Sequence, residues 1–282
     1  MKPKVIAVVG ATASGKTSLA IKLAHEMGGE IISADSRLVY KGFNIAAAKP
    51  TIEEREGIPH HLIDIVEPEY DYSVGEYYRD AKKAISEILS RSKVPIIAGG
   101  TGLYFRVLLE NYNLPEVETN VELRKELDLK SKEELLEELK KVDSLTYERV
   151  KDGNKRRIVR ALEMIKTLGK PLSELSIEKE PEYDVEWKMP KISSREELYN
   201  RINKRVDIMV EQGILDETKS LLEKHGRIKN IVCTIGYKEI ISYLDGECSF
   251  DEAIEKLKQH TRNYAKRQLT WFRRNPNLKI DY

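Results

Sequence analysis

A glycine-rich loop between an apolar strand and a helix limits this chain to a small set of folds. The segment Gly10–Thr17 reads Gly-Ala-Thr-Ala-Ser-Gly-Lys-Thr and matches the phosphate-loop pattern in full. It follows the β-branched run Val5–Val9 and precedes the helical pattern Ser18–Met27, which is the context that the pattern requires. In such a loop, backbone N–H groups face a di- or triphosphate, Lys16 supplies positive charge and the Thr17 hydroxyl can hold Mg²⁺. The sequence therefore predicts a polyphosphate site.

Strand and helix patterns alternate over the first hundred residues. Further strands are predicted at Glu30–Ala34, His61–Val66 and Val94–Ala98, and a helix with a broad apolar face at Tyr77–Ser90. Strands that alternate with helices pair in parallel and are covered on both faces. These patterns therefore predict an α/β fold, with a phosphate-loop NTPase-like parallel sheet and helices on both of its faces.

The rest of the chain is predicted to be mostly helical. Ser131–Leu145 and Lys155–Leu168 have apolar stripes at helical spacing, whereas residues 178–187 have the composition of a polar connector. We therefore predict a small all-helical insertion domain over residues 112–189 and a core domain formed by residues 1–111 and 190–282. In the last part of the core domain, helices are predicted at Glu196–Gln212, Ile214–His225, Tyr237–Leu244 and Phe250–Arg273.

Composition excludes several classes of protein. Charged residues make up 34% of the chain and hydrophobic residues 40%, which fits a packed core under a charged surface and not a disordered chain. No apolar run approaches the roughly 18 residues of a membrane span. Cys233 and Cys248 form no Cys-x-x-Cys pair, which argues against a disulfide framework or a cysteine zinc site. We expect a soluble, cytoplasmic protein that is monomeric and has no membrane partner.

Two further elements are expected at the same edge of the sheet as the phosphate loop. Asp35 follows the second predicted strand, and the glycine-rich turn that contains Thr101 follows the strand Val94–Ala98. Ligands of open α/β sheets bind at the carboxyl ends of the strands, so Asp35 and Thr101 should face the phosphate loop. Asp35 could otherwise cap a helix or a turn. Asp64, the other candidate acid, lies inside an apolar run, where a structural role is favoured.

A nearly neutral total charge hides two basic segments. Residues 256–279 contain eight Lys and Arg and no acid, interleaved with aromatic side chains, and residues 149–170 contain eight against two acids. Basic clusters with aromatic neighbours are typical of a nucleic-acid partner, although a solvated charged face would give the same pattern. Arg201 and Arg205, four residues apart on one helix face, could clamp a diphosphate or form surface salt bridges.

Eight segments in chain order carry a resemblance that covers nearly the whole sequence: Gly10–Thr17, Ala34–Tyr40, Ala48–Pro50, Gly57–Asp64, Gly99–Tyr104, Arg160–Glu163, Ile235–Glu239 and Lys266–Arg273. Together they resemble the tRNA dimethylallyltransferase family, also called the tRNA isopentenyltransferases. One departure is Asn-Ile-Ala-Ala-Ala-Lys at residues 44–49, where the family usually has Asp-Ile-Gly-Thr-Ala-Lys. Ala46 and Ala47 therefore stand in place of Gly and Thr.

The resemblance implies transfer of a dimethylallyl group from dimethylallyl diphosphate to the exocyclic N6 amine of the adenine 3′-adjacent to the tRNA anticodon, with release of diphosphate. It implies that Asp35 is the catalytic base, that Thr101 lies near the leaving oxygen and that Arg205 binds the diphosphate. Mg²⁺ would bind at Thr17. The diphosphate would lie in the phosphate loop, on Gly10, Ala11, Thr12, Ala13, Ser14, Gly15, Lys16 and Thr17.

The anticodon stem-loop of tRNA is the macromolecular partner that the resemblance implies. Its target base is stacked in the loop and must be flipped into the pocket. Many of the implied contacts fall on the two basic segments, so the two lines of reasoning agree. The implied tRNA contacts are Asp35, Ser36, Arg37, Leu38, Arg156, Arg157, Arg160, Lys266, Arg267, Gln268, Trp271 and Arg273.

Two other functions remain open. A prenyltransferase acting on free adenine nucleotides would share the phosphate loop and Asp35 but would need no RNA surface. A phosphate-loop kinase or NTPase would usually carry an acid at the end of a later strand, which the sequence lacks. The basic, aromatic-bearing C-terminal segment and the helical insertion favour the tRNA enzyme.

Overall fold

A five-stranded parallel sheet is the main β-structure of the protein, seen in a computed structural model that describes residues 2–110, 112, 120–175, 180 and 182–280. The strand order is β3-β2-β4-β1-β5, and every pair is parallel. The α/β prediction is confirmed. The strands are β1 (Lys4–Val9), β2 (Gly29–Ala34), β3 (His60–His61), β4 (Val94–Gly99) and β5 (Asp184–Lys188).

Helices account for most of the remaining described chain, and a short 3-10 helix covers Leu172–Glu174. The α-helices are α1 (Lys16–Met27), α2 (Val74–Ser90), α3 (Gly102–Leu109), α4 (Val121–Leu129), α5 (Lys132–Val142), α6 (Ser144–Val150), α7 (Lys155–Leu168), α8 (Arg195–Glu211), α9 (Ile214–His225), α10 (Lys229–Val232), α11 (Tyr237–Leu244) and α12 (Phe250–Phe272).

Both faces of the sheet are buried, because successive strand residues point to opposite sides. Val5 and Ala7 of β1 pack with α2 and α3, whereas Ile6 and Val8 pack with α1. Backbone contacts divide the chain into two compact units, Met1–Glu110 with Pro181–Tyr282, and Asn111–Glu180. The first unit contains the sheet.

The second unit is built from α4 to α7, and its described residues form no strand of the sheet. Its core is formed by leucine and isoleucine side chains, among them Leu127, Leu135 and Leu162. A capping box of Ser131 and Glu134 begins α5. This arrangement satisfies two backbone N–H groups that the helix itself leaves free.

Three local predictions were wrong. Of the strand predicted at His61–Val66, only His61 pairs with β2, because Leu62 and Asp64 have φ of 61° and 56° and turn the chain away. The helix predicted at Ser131–Leu145 ends at Val142. Asp143 interrupts it, since its carboxylate accepts from the Thr146 N–H at 2.9 Å and begins α6.

The polar connector predicted at residues 178–187 contains a strand, although residues 178, 179 and 181 lie outside the described part of the chain. Residues 184–188 form β5, and all five of them pair with β1. Val185 and Trp187 pack on the core, whereas Glu186 pairs with Lys4 at 2.8 Å and with Lys188 at 2.6 Å. β5 thus belongs to the sheet, although it lies within the range predicted for the insertion.

Among the described residues, no helix combines the length and the apolar character that crossing a membrane requires.

Candidate active site

The phosphate loop folds tightly between β1 and α1. Gly10, Ala13 and Gly15 have φ of 149°, 59° and 92°, so the backbone takes conformations that glycine adopts most easily. The Lys16 ammonium folds back across the loop and donates to the Ala11 carbonyl at 2.5 Å. The phosphate loop predicted from the sequence therefore lies between β1 and α1, and it lines a cavity.

The charges of Lys16, Arg205 and Asp35 act on one another. Loss of water around the Lys16 ammonium, reinforced by the nearby Arg205 guanidinium, lowers the pKa of Lys16 to about 8, and the Asp35 carboxylate opposes this shift. Burial likewise lowers the pKa of Arg205, against the attraction of Asp35. The two cations and the carboxylate therefore lie near enough to influence one another, although they come from three separate segments.

Hydrogen bonds join the ends of β2 and β4 next to this cluster. The Thr101 hydroxyl accepts from the Ser36 N–H at 3.1 Å, and the Thr101 N–H donates to the Ala34 carbonyl at 3.1 Å. One oxygen of Asp35 accepts from the Arg37 N–H at 2.8 Å. Asp35 thus stabilises the turn that follows β2. Thr101 lies just after the end of the neighbouring strand β4, as expected from the parallel topology.

The two arginines of α8 differ in their contacts. Arg205 donates to the Thr12 hydroxyl at 3.3 Å and so reaches the phosphate loop. Arg201 is paired with Glu197 at 2.5 Å, four residues earlier on the same helix. Of the two candidate diphosphate clamps, only Arg205 is hydrogen-bonded to the loop among the described contacts.

An open cavity of about 760 Å³ lies against the phosphate loop. Among the described residues, the buried Ser14 hydroxyl beside it has no hydrogen-bond partner. A buried hydroxyl without a partner is costly, so this atom fits a site that binds an oxyanion. The charged side chains that line the cavity are Lys16, Lys22, His25, Glu26, Glu54, Glu56, Arg201, Lys204 and Arg205.

The residues present fit a metal ion only as a partner of phosphate. Among the described residues, no group of three His, Cys, Asp or Glu side chains could hold a metal. The Thr17 hydroxyl lies on the wall of the cavity. Mg²⁺ commonly takes one or two ligands from the protein and the rest from phosphate and water, which is the donor set that this wall offers.

The basic helix α12 meets the site through Gln268. Its side-chain oxygen accepts from the Thr12 N–H at 2.8 Å, and its nitrogen donates to the Gly100 carbonyl at 3.0 Å. Trp271 lies so close to Gly102 that a Cβ there would be 2.1 Å from the indole ring. Sequence reasoning placed Gln268 only among the tRNA contacts and missed this internal role. Glycines at 100 and 102 were the available signal for a close approach.

The basic residues predicted to contact tRNA near the end of α12 are exposed. Lys266, Arg267 and Arg273 are exposed, and the Arg267 guanidinium stacks over the Tyr264 ring at 5.7 Å. Exposed cations beside aromatic rings suit contact with a nucleic acid. The structure therefore places this set at the C-terminal end of α12, a helix whose buried Gln268 reaches the phosphate loop.

In the second unit, α7 carries the other predicted basic residues. Arg156 and Arg157 are exposed in its first turn. Arg160 instead pairs with the fully buried Glu163 at 2.8 Å, and Arg124 pairs with the same carboxylate at 2.8 Å. The two pairs and the Asn120 N–H hold the pKa of Glu163 below its usual range, against the effect of burial. Arg160 therefore also has a structural task.

The segment that departs from the family pattern is held by a carboxylate that sequence reasoning missed. Glu217 accepts from the N–H groups of Ile45 and Ala46 and from the Tyr237 hydroxyl, at 2.9, 3.2 and 2.7 Å. Lys49 forms an ion pair with Asp64. Asp64 thus has a structural partner, as the sequence favoured, and the loop of residues 44–49 has a defined shape.

Comparison with known proteins gives the family. A model described as "IPP transferase" matches residues 38–275, and one described as "Isopentenyl transferase" matches residues 3–69. A tRNA dimethylallyltransferase of Thermomicrobium roseum is 45% identical over 96% of this chain and 83% of its own length. The chain belongs to the IPP transferase family. A tRNA dimethylallyltransferase of Anoxybacillus flavithermus is also 45% identical, over 97% of this chain and 88% of that protein.

Solved structures of the family have the same fold. A tRNA isopentenylpyrophosphate transferase from Staphylococcus epidermidis is 42% identical, with a TM-score of 0.71 over 99% of this chain and 92% of that one. A eukaryotic dimethylallyltransferase acting on tRNA is 31% identical, with a TM-score of 0.83 over 96% of this chain and 70% of that one. The family predicted from the eight sequence segments is confirmed.

Proposed function

We propose that this IPP transferase family member transfers the dimethylallyl group of dimethylallyl diphosphate to the N6 amine of the adenine 3′-adjacent to the anticodon of tRNA, and releases diphosphate. The observation that carries the proposal is the convergence of three segments: Arg205 is hydrogen-bonded to the phosphate loop that bears Lys16, and Asp35 follows β2 beside the turn of Thr101. The charges of Lys16, Arg205 and Asp35 act on one another. A cationic loop beside a carboxylate supplies both halves of the reaction, since one side stabilises the leaving group and the other activates the amine.

Diphosphate leaves as the carbon–oxygen bond breaks, and negative charge builds up on the bridging oxygen. Lys16 and Arg205 lie where this charge develops, and preorganised charges of this kind stabilise a transition state more than water does. The Ser14 hydroxyl and the N–H groups of the phosphate loop complete the anion site. Thr101, which follows β4, would donate a hydrogen bond from its hydroxyl to the leaving oxygen.

The N6 amine of adenine is a poor nucleophile, because its lone pair is delocalised into the ring. Asp35 is the proposed base that hydrogen-bonds the amine and takes up its proton. A positioned base of this kind contributes about 10²–10⁴ in rate. The Asp35→Asn variant keeps the hydrogen bond from the Arg37 N–H, since an amide oxygen also accepts, and it removes the charge.

Mg²⁺ is part of the proposal, and the Thr17 hydroxyl is the protein group that would hold it beside the diphosphate. When bound, it neutralises charge on the departing diphosphate.

The proposed tRNA contacts are the exposed cations Lys266, Arg267 and Arg273 in the first unit and, separately, Arg156 and Arg157 of α7 in the second unit. Arg37 and Leu38 follow the base Asp35 in the chain and would contact the flipped nucleotide. We further propose that the enzyme acts in the cytoplasm as a monomer. Size-exclusion chromatography with light scattering checks the monomer, whose mass is 32.4 kDa.

The deciding experiment follows label from dimethylallyl diphosphate into unmodified tRNA and, separately, into AMP, with Mg²⁺ present and ATP hydrolysis measured beside it. Label in tRNA alone is expected. The Asp35→Asn variant should lower kcat by about 10²–10⁴-fold. Asp71→Asn, a change of the same kind at an exposed carboxylate, should leave kcat unchanged.

Label in AMP instead of tRNA would show a prenyltransferase of free nucleotides. ATP hydrolysis without label transfer would show a phosphate-loop NTPase and would refute the proposal.

A further inference from the structure

Gln268 is a buried polar side chain that touches two elements of the site at once. Only 5% of the residue is exposed. Its oxygen accepts from the Thr12 N–H in the phosphate loop, and its nitrogen donates to the Gly100 carbonyl at the end of β4. A backbone N–H requires an acceptor and a carbonyl requires a donor, so a single orientation of the amide serves both.

The Gln268 side chain packs tightly against the backbone of Gly100. A Cβ on Gly100 would lie 2.0 Å from the Gln268 nitrogen. Tyr264, one turn earlier on α12, lies beside this side chain. A buried network in which each polar group has a partner fixes the spacing of the elements that it joins.

Each of the two bonded groups belongs to a segment with a proposed chemical task. Thr12 receives a hydrogen bond from Arg205 through its hydroxyl, and its loop continues to Lys16. Gly100 immediately precedes Thr101, whose hydroxyl holds the Ser36 N–H beside Asp35. Gln268 therefore lies between the side that binds the leaving group and the side that carries the base.

We propose that Gln268 is a positioning residue, whose side-chain amide sets the distance between the phosphate loop and the turn of Thr101 and so aligns the leaving group with the attacking amine. This inference rests on the proposed prenyl transfer. It gives Gln268 a task inside the enzyme, separate from the exposed cations Lys266 and Arg267 of the same helix.

The first test replaces the amide with a side chain that cannot bridge. Gln268→Leu is expected to lower kcat on the order of 10²-fold, since about 1 Å of misplacement costs that much. Its dissociation constant for tRNA, measured by fluorescence anisotropy, should remain that of the wild type. A folded Gln268→Leu variant with unchanged kcat, or one that loses tRNA affinity while kcat at saturating tRNA is unchanged, overturns the inference.

The second test uses Gln268→Glu and pH, and it remains decisive if the leucine variant does not fold. A protonated carboxyl can accept from the Thr12 N–H and donate to the Gly100 carbonyl as the amide does, whereas the ionised form cannot donate. The kcat of Gln268→Glu divided by that of the wild type should therefore rise as pH falls from 8 to 5.5. Tyr264 lies beside this position, and the charges of Asp35, Arg37 and Arg267 act on it; Lys16 and Arg205 lie on the side of the phosphate loop. These groups are common to both proteins, so the ratio removes much of their contribution.

Gln259→Glu is the matched control, because Gln259 is exposed on the same helix. Its kcat ratio should stay level across this pH range. A level ratio for Gln268→Glu would refute the inference. If the wild type itself transferred no label, the proposed function would fail, and calorimetric binding of inorganic diphosphate with Mg²⁺ would still test the loop: equal affinity in the wild type and in Gln268→Leu would refute positioning as well.

Discussion

Gly99 is the residue at which the smallest change should do the most damage to the active site. It ends β4 and pairs with Ala34, the last residue of β2. A Cβ on Gly99 would lie 2.1 Å from the Ala34 carbonyl oxygen, whereas ordinary contact begins near 3.4 Å. The Gly99→Ala variant must therefore separate the two strand ends by roughly 1.3 Å.

This separation acts directly on the reacting groups, because Asp35 follows one strand end and Thr101 the other. The hydrogen bond from the Thr101 N–H to Ala34, 3.1 Å long, would break. Misplacement by about 1 Å costs on the order of 10²-fold in rate, or about 2.7 kcal/mol of barrier. The forced overpacking should also lower the free energy of unfolding by about 1–3 kcal/mol.

Single-turnover label transfer at saturating tRNA and dimethylallyl diphosphate measures the rate, and urea unfolding measures stability. Gly246→Ala is the control. A Cβ at Gly246 meets nothing within 4 Å, but its φ of 75° makes the change strained by about 1–2 kcal/mol. The Gly246→Ala variant should lose about as much stability as Gly99→Ala, but its rate of label transfer should equal that of the wild type. A folded Gly99→Ala variant with a rate within about threefold of the wild type, which is under 1 kcal/mol of barrier, would refute the reasoning.

Three further predictions follow from the charges. Because the pKa of Lys16 is lowered to about 8, its positive charge is present below that pH and is lost above it. The affinity for inorganic diphosphate should therefore fall as pH rises through 8, with proton uptake on binding, as measured by calorimetry in buffers of different ionisation enthalpy. Glu163→Gln removes the charge that Arg124 pairs with, and should lower the free energy of unfolding by about 1–3 kcal/mol in urea. Replacing Arg156 and Arg157 by alanine should weaken tRNA binding and reduce the slope of log Kd against log salt by about 1 for each phosphate that the variant no longer binds.

Each of these predictions has a control and a result that contradicts it. For the diphosphate prediction, the control is Lys22→Met, at an exposed lysine of the cavity beside the phosphate loop. This variant should keep the fall in diphosphate affinity with rising pH. If Lys16→Met kept it as well, the prediction would be contradicted. Glu148→Gln, at an exposed pair, should change stability by less than about 1 kcal/mol, and an equal effect at Glu163 would contradict the second. Removal of Lys140 and Lys141 on α5 is the control for the third, which fails if both double variants have the same salt slope.

Local patterns in the sequence predicted those parts of the fold that local forces determine. The phosphate loop lies between β1 and α1, as its glycines and flanking runs indicated. The helix predicted at Lys155–Leu168 has those bounds, because Asn154 caps its start and Gly169 its end. The capping box of Ser131 also formed, although the helix ended early.

Features that depend on distant partners could not be predicted in this way. The strand β5 reads Asp-Val-Glu-Trp-Lys, and its polar positions look like a connector until the pairing with β1 is known. Gln268 lies among basic residues and looks like one more surface contact. Its buried bonds to Thr12 and Gly100 join positions 256 and 168 residues away in the chain, and no local pattern contains that information.

The late position of β5 has a consequence for how the protein is made. During synthesis, β1 leaves the ribosome first, but its partner on one side arrives about 180 residues later. At typical rates of about 5–20 residues per second, the edge of β1 stays unpaired for about 10 seconds or more. An unpaired parallel edge is a template for association with other chains. The charge of Lys4 therefore has a second use in the newborn chain, because it lies on that edge and disfavours association before Glu186 and Lys188 have been made.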